Sequence, residues 1–298
     1  MKSETLATPT RSTAESLLAR AWRLRGRHAN LQLVAGLSIL TLFLMIGFVL
    51  PRFAPVDPAV WNRVPRDLPP SAAHPLGTTS LGQSVFWLLA ASIGNSLLIG
   101  LGVAVVTTVI GVFIGALIGF VGGITDKVFG VLIDALIAIP TLPILILFAA
   151  VFKGAASVTA LIVILIAFNW PWPARQVRAM VLSLRERQFI DVARFSGQGT
   201  AKIIVREIVP HLLPWAAANL TNTVLVAISL ETGLAVIGVS NLNYPTLGTM
   251  IYWALQYQAM FLGLWWWIVP PALATIVLFI TLFLCSSGFS RTQAGQHA

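Results

Sequence analysis

Long uncharged runs alternating with short charged ones govern the reading of this chain. Leu31 to Leu50 carries no charge and is long enough, at about 1.5 Å per helical residue, to cross about 30 Å of hydrocarbon. It is too long for the apolar part of a signal peptide and no small-residue cleavage site follows, so it reads as a retained first span. Further spans are predicted at Ile93 to Phe120, with Val85 an alternative start, and at Val128 to Val151. A fourth begins at Val158 to Phe168 and continues through Asn169, Trp170, Pro171, Trp172 and Pro173 to Arg175 and Arg178. The proline and tryptophan cluster predicts a bend there. Pro214 to Ile237 and Leu264 to Leu284 complete an all-α polytopic membrane protein with six transmembrane helices.

The polar interruptions are of different kinds. Residues 1–30 are basic and read equally as a surface-lying helix or a tail. Between Pro51 and Ser84 seven prolines prevent a regular helix, so 51–84 is a loop, ending in HPLGTTSLGQSV (His74 to Val85). The sharpest interruption is the insert 183–210, where 28 residues hold eight charges although only 10% of the chain is charged. In it, Arg185 to Ser196 has helical character, with Phe189, Val192, Ala193 and Ser196 on one side and Ile190 beside them. Gly197 suits a left-handed C-terminal cap. Thr200 is placed to cap a second short helix, and Pro210 marks re-entry into the bilayer. The apolar face of the insert is too small to form its own core, which predicts a partner groove. A tail, 286–298, closes the chain.

Composition adds little to the class and something to orientation. With 57% hydrophobic residues and mean hydropathy +0.86, a soluble core is excluded. The net charge of +9 is spread over short segments bordering apolar runs, the pattern of topology signals, which argues against nucleic acid as a partner. Six spans put both termini on one side, with the insert; that side holds 15 Lys or Arg and the other holds four, Arg52, Arg63, Arg66 and Lys153. The positive-inside rule places termini and insert in the cytoplasm.

Within the spans, Gly111, Gly115 and Gly119 recur every fourth residue and predict a close helix or subunit contact. Asp134 and Glu231 are intramembrane acids, expected to point into the bundle, with Asn219 and Asn222 beside the second as pathway or internal polar contacts. No catalytic residues and no metal site are predicted: the four histidines are scattered, Cys285 is alone, and no nucleophile elbow is present. GxxxxGK[ST] is also missing, so if transport is driven by ATP another polypeptide must hydrolyse it. A secondary transporter or channel using Asp134 and Glu231 as an ion relay is the alternative, and it leaves the insert without a role.

Asp191-Val-Ala193, Gly197 and Ile208-Val-Pro210 resemble the EAA loop of ABC importer permeases, with Asp191 in place of Glu and Val192 in place of the first Ala. HPLGTTSLGQSV resembles the HPLGTDxLGRDV of the dipeptide, oligopeptide and nickel permeases, C-type subunit; so do Asp134 to Pro140, Val181 to Arg194 and Glu231 to Gly238. The likeness covers roughly 31–285. It implies a type I ABC importer permease fold whose insert is a coupling helix, with Arg187, Asp191, Ala193, Gly197 and Arg206 meeting the ATPases. The implied setting is the bacterial cytoplasmic (inner) membrane. Implied partners are the lipid bilayer, a homologous B-type permease, two ATPase subunits that bind ATP and Mg, and an external solute-binding protein. Thr79, Gln83 and Ser84 depart from the motif by removing three charges. Leu247 to Pro271 also resembles a branch associated with oligosaccharides as well as peptides.

Overall fold

The computed structural model describes residues 32–151 and 157–294; the basic N-terminal segment, Lys153 and the last residues of the tail lie outside them. Helix α1, Gln32–Phe53, is the first span. Its turns widen to π spacing at Met45–Val49 and tighten to a 3-10 turn at Leu50–Phe53, where Pro51 ends regular pairing. The widened turn brings Gly47 against α2 (Val85–Val121), where a Cβ on Gly47 would meet Gly94 Cα at 2.6 Å. Helix α2 has 37 residues and no internal proline, so it is one straight-through element about 56 Å long.

The third apolar run is not one helix. Helices α3 (Gly123–Ala138) and α4 (Thr141–Val151) meet at a 77° bend. The cause is Pro140: it drives Ile139 to extended geometry (φ −76°, ψ 122°) and removes a helix donor. The next proline cluster does not break its span. Helices α5 (Val158–Asn169) and α6 (Pro171–Leu184) join through Trp170, which keeps helical φ and ψ, and Pro171 occupies a first-turn position where no donor is needed. Any bend there is smaller than the break at Pro140.

Helix α7 is Gln188–Phe195, shorter at its start than the pattern of charges and apolar positions suggests. The second helix of the insert does not end at Pro210. It forms the start of α8, Thr200–Val236, a continuous 37-residue helix that includes the fifth span. A π turn at Ile204–Ile208, closed by Val209 N–H donating to Ile204 O, widens the spiral just before Pro210 and accommodates its ring. A short helix α9, Leu247–Gln256, and the last span α10, Trp265–Ala294, follow. Among the described residues, five helices are long and apolar enough to cross a bilayer, or six spans if the bent α3–α4 pair counts as one. Among the described residues there is no strand, only an isolated antiparallel bridge between Thr78 and Ser84.

Helix α2 is the spine, packing chiefly on α6 and α8. The core lies along it in five clusters, three of which mark its two ends and middle. At the insert end, Ala116 and Phe120 of α2 meet Val177 and Val181 of α6, Ile190 and Ala193 of α7, and Ile204 and Ile208 of α8. In the middle, Ile93 and Leu97 meet Phe43 of α1, Val224 and Ile228 of α8, and Leu278 of α10. At the loop end, Val85 and Leu88 meet Leu81, Met250 of α9 and Trp267 of α10. In the charged insert a fully buried Ile190 contributes about 1.5–3 kcal/mol relative to exposure in water, and α7 owes its position to such contacts rather than to its own length.

Candidate functional site

The insert is built outward from two buried residues. On α7 only Ile190 and Ala193 are buried, three residues apart on one face. Val192, expected on that face, points away and is 64% exposed, beside Phe195 at 92%. Packing against α2, α6 and α8 selects the face that turns inward, so the buried stripe runs through Ile190 and Ala193. Phe189 lies at the edge and stacks on His211 of α8, centroids 5.0 Å apart with planes 14° from parallel. The His211 ring donates through Nδ1 to the Glu207 carbonyl at 2.7 Å. The Arg194 guanidinium sits 5.2 Å from the centre of the Phe120 ring, so α7 is fastened to α2 by a cation–π contact as well.

The turn after α7 has Schellman geometry. Gly197 N–H donates to Arg194 O at 3.0 Å and Gln198 N–H to Ala193 O at 3.2 Å, with Gly197 left-handed at φ +71°. Thr200 is not a cap: Gly199 takes that position and no side chain bonds the first turn. Of the residues assigned to coupling, Arg187, Asp191, Gly197 and Arg206 are exposed while Ala193 faces the core. The surface they border carries Val192 and Phe195, two unpartnered apolar side chains at the tip of the molecule.

Behind the insert, α2 and α6 touch along the glycine stripe. A Cβ on Gly111 would lie 2.6 Å from Pro173, on Gly115 2.5 Å from the Ala174 carbonyl, and on Gly119 2.9 Å from the Arg178 carbonyl. Helix α6 is also tied to α3. Arg178 forks onto Asp126, its Nε donating at 2.5 Å and Nη2 at 2.9 Å, and Arg175 pairs with Asp134 at 3.3 Å. Asp134 is thus not inside the bundle; its side chain is 60% exposed on the outer side of α3, where the Arg175 guanidinium compensates its charge. The Arg178–Asp126 pair is partly buried. Asp126→Asn is expected to lower unfolding free energy by about 1–3 kcal/mol by leaving Arg178 without a carboxylate. A thermal midpoint equal to wild type in detergent would show that the pair contributes nothing.

Toward the loop end the interior is polar. Glu231 of α8 is 1% exposed and accepts from the Thr246 hydroxyl at 2.8 Å. Thr246 also caps α9, its side chain accepting from Thr249 N–H while Thr249 Oγ1 accepts from Thr246 N–H. Ser96 of α2 accepts from Leu247 N–H at 3.0 Å. Asn95 donates to the Pro245 carbonyl at 2.7 Å and accepts from the Tyr244 hydroxyl at 2.9 Å. Burial pushes the Tyr244 phenol above its ordinary range, which keeps it a neutral donor. This network pins the segment after α8 back onto α2. Asn219 bonds Thr108 of α2 at 3.2 Å, whereas Asn222 is exposed on the span surface and makes no such internal contact. Asn95, Ser96 and Thr246 were not singled out in the sequence; Asn95 within an apolar run carries the same signal that marks Glu231.

In the 51–84 loop, Thr79, Gln83 and Ser84 are buried rather than displayed. Gln83 Nε2 donates to the Pro58 and Ala59 carbonyls at 2.9 and 3.1 Å, and Gly77 and Gly82 supply left-handed turns. The three uncharged residues therefore close the loop on itself. Among the described residues no group of three His, Cys, Asp or Glu side chains is placed to hold a metal.

Comparison with known proteins bears on this arrangement. Residues 111–293 match the family described as binding-protein-dependent transport system inner membrane component. The chain is 32% identical over 259 residues to the oligopeptide transport system permease protein OppC of Mycobacterium tuberculosis H37Rv, covering 86% of each. It is 29% identical over 256 residues to the dipeptide transport system permease protein DppC of Bacillus subtilis, covering 82% of this chain and 79% of that one. It is 30% identical over 212 residues to the nickel transport system permease protein NikC of Escherichia coli K12, covering 71% and 73%. A chain of the MetNI methionine ABC transporter, solved in inward facing conformations, shares the fold at TM-score 0.53 and 20% identity, covering 70% of this chain and 96% of that one.

Proposed function

Because the chain belongs to the binding-protein-dependent transport system inner membrane component family, among the C-type permeases of ABC importers, we propose that it forms half of the membrane pathway of a peptide importer. Relatives named for oligopeptide and dipeptide transport support peptides as the solute class. The carrying observation is the insert: a short helix with exposed Val192 and Phe195, seated through Ile190 and Ala193 on a core shared by α2, α6 and α8.

A homologous B-type permease completes the pathway, two ATPase subunits bind ATP and Mg, and an external binding protein delivers the solute. The chain itself hydrolyses nothing. It lies in the bacterial inner membrane with both termini and the insert in the cytoplasm, as the excess of Lys and Arg on that side favours. Closure of the ATPases presses on α7 near Arg187, Asp191, Gly197 and Arg206. Because Ile190, Ala193, Phe189 and Arg194 fasten α7 to α2 and α8, the displacement passes to the spans, and the two permeases rock between outward and inward access.

Uptake of a labelled peptide into proteoliposomes holding the assembled transporter tests this. Import is expected to require hydrolysable ATP and to survive dissipation of the proton gradient. Import that persists without hydrolysis but collapses with the gradient would overturn the reading in favour of an ion-coupled carrier.

A further inference from the structure

At the loop end of the bundle lies a cavity of about 20 Å³, walled by Ala59 and Trp61 of the loop, Ser92 of α2, Asn243, Trp253 of α9 and Trp267 of α10. Trp61 and Trp253 meet edge to face at its mouth, centroids 5.4 Å apart, and Trp61 is partly exposed. Ser92 and Trp267 are fully buried.

Most polar groups around this cavity are engaged. Gln83 bonds two carbonyls, the Thr249 hydroxyl is shared with Tyr244 O and Thr246 O, and Trp253 Nε1 donates to Leu242 O at 3.1 Å. Two are exceptions. Neither Ser92 Oγ nor Trp267 Nε1 has a protein partner among the described residues, and both are sealed from bulk solvent. Ser229 of α8, by contrast, turns its hydroxyl back to the Leu225 carbonyl at 2.8 Å. Buried donors are rarely left unpaired, because a missing bond costs their full desolvation. An indole N–H can only donate, whereas a hydroxyl can donate or accept, so an occupant satisfying both must offer an acceptor oxygen. The volume exceeds the roughly 10–15 Å³ that an ordered water requires.

We propose that this cavity is a binding site for one water molecule, which accepts the Trp267 indole proton and bonds the Ser92 hydroxyl. It joins α2 to α10 beneath the loop, where the two side chains make no direct hydrogen bond. A carbonyl of the transported solute offers the same acceptor chemistry, and the experiment separates the two sources.

The test is a double-mutant cycle on thermal midpoints of the assembled transporter, with Ser92→Ala, Trp267→Phe and both together. Each single change is expected to lower the midpoint by about 2–4 °C, and the double change no further than the worse single, because both remove the same bridge. Additive losses, or a midpoint unchanged or raised by Trp267→Phe, would overturn the site. Repeating the cycle with saturating alanine tripeptide assigns the oxygen: coupling already complete without peptide identifies water, and coupling that appears only with peptide overturns the water assignment. Should Trp267→Phe fail to assemble, ultraviolet resonance Raman of Ser92→Ala gives a second reading. One indole N–H is expected to shift toward the weaker-bonded position, and an unchanged spectrum counts against the bridge.

Discussion

Gly197→Glu is expected to yield a transporter that assembles at wild-type levels but neither imports peptide nor accelerates ATP hydrolysis when solute is supplied. The separation of the two effects comes from the geometry of one turn. Gly197 holds φ +71°, so any side chain costs about 1 kcal/mol of backbone strain, yet a Cβ there would meet no atom within 4 Å. The fold tolerates both. The turn is an exposed tip, however, and a glutamate there adds bulk and negative charge beside Val192 and Phe195, on the surface assigned to the ATPases. Gly197→Ala carries the strain without the charge and should retain most activity. Wild-type solute-stimulated hydrolysis in Gly197→Glu would remove the turn from the coupling surface, whatever else the insert does.

Gly115→Val is expected to do the reverse and prevent accumulation of folded protein. Here the Cβ would stand 2.5 Å from the Ala174 carbonyl and 2.9 Å from the Val177 side chain, and the first of these is backbone that cannot rotate away. Overpacking typically costs about 1–3 kcal/mol where side chains can yield, and more where two helix backbones must separate. Since α2 and α6 share the stripe from Gly111 to Gly119, parting them at its centre also opens the core beneath α7. Gly102→Ala in the same helix is the control, because nothing lies within 4 Å of its Cβ, and it should be neutral or slightly stabilising. Membrane levels measured by quantitative blotting compare the two; equal amounts would show that α2 and α6 can slide apart at little cost.

How much of this was readable from the residues depends on the range of the interactions. Apolar runs located the five unbroken spans, since each depends only on its own composition and length, while the third run proved to be a bent pair. Gly197 was readable because left-handed geometry after a helix is a local demand that glycine meets. Prolines were less reliable guides. Pro140 breaks a span, while Pro171 and Pro210 sit inside continuous ones. The outcome depends on whether the preceding turn is a first turn or a π turn, which sequence pattern does not reveal. The acids divided for a related reason. Glu231 found Thr246 fifteen residues on, whereas Asp134 met Arg175 across two helices and stayed on the surface. Both partners are fixed by packing that no local pattern encodes. The water site beneath Trp61 was beyond reach of sequence, because it joins five separate segments.

The length of α2 has a mechanical consequence. One unbroken helix carries Phe120, under the Arg194 guanidinium at one end of the molecule, and Ser92, beside Trp267 near the other. Under the proposed coupling, and with no proline to act as a joint, it would behave as a push rod: a thrust delivered at the tip would reach the far rim as travel instead of being absorbed as bending. Power stroke and rim movement are then a single event with two addresses, so a probe fixed near Trp61 should register nucleotide turnover, across about 42 Å of helix from Phe120 to Ser92, as promptly as one fixed beside Phe195.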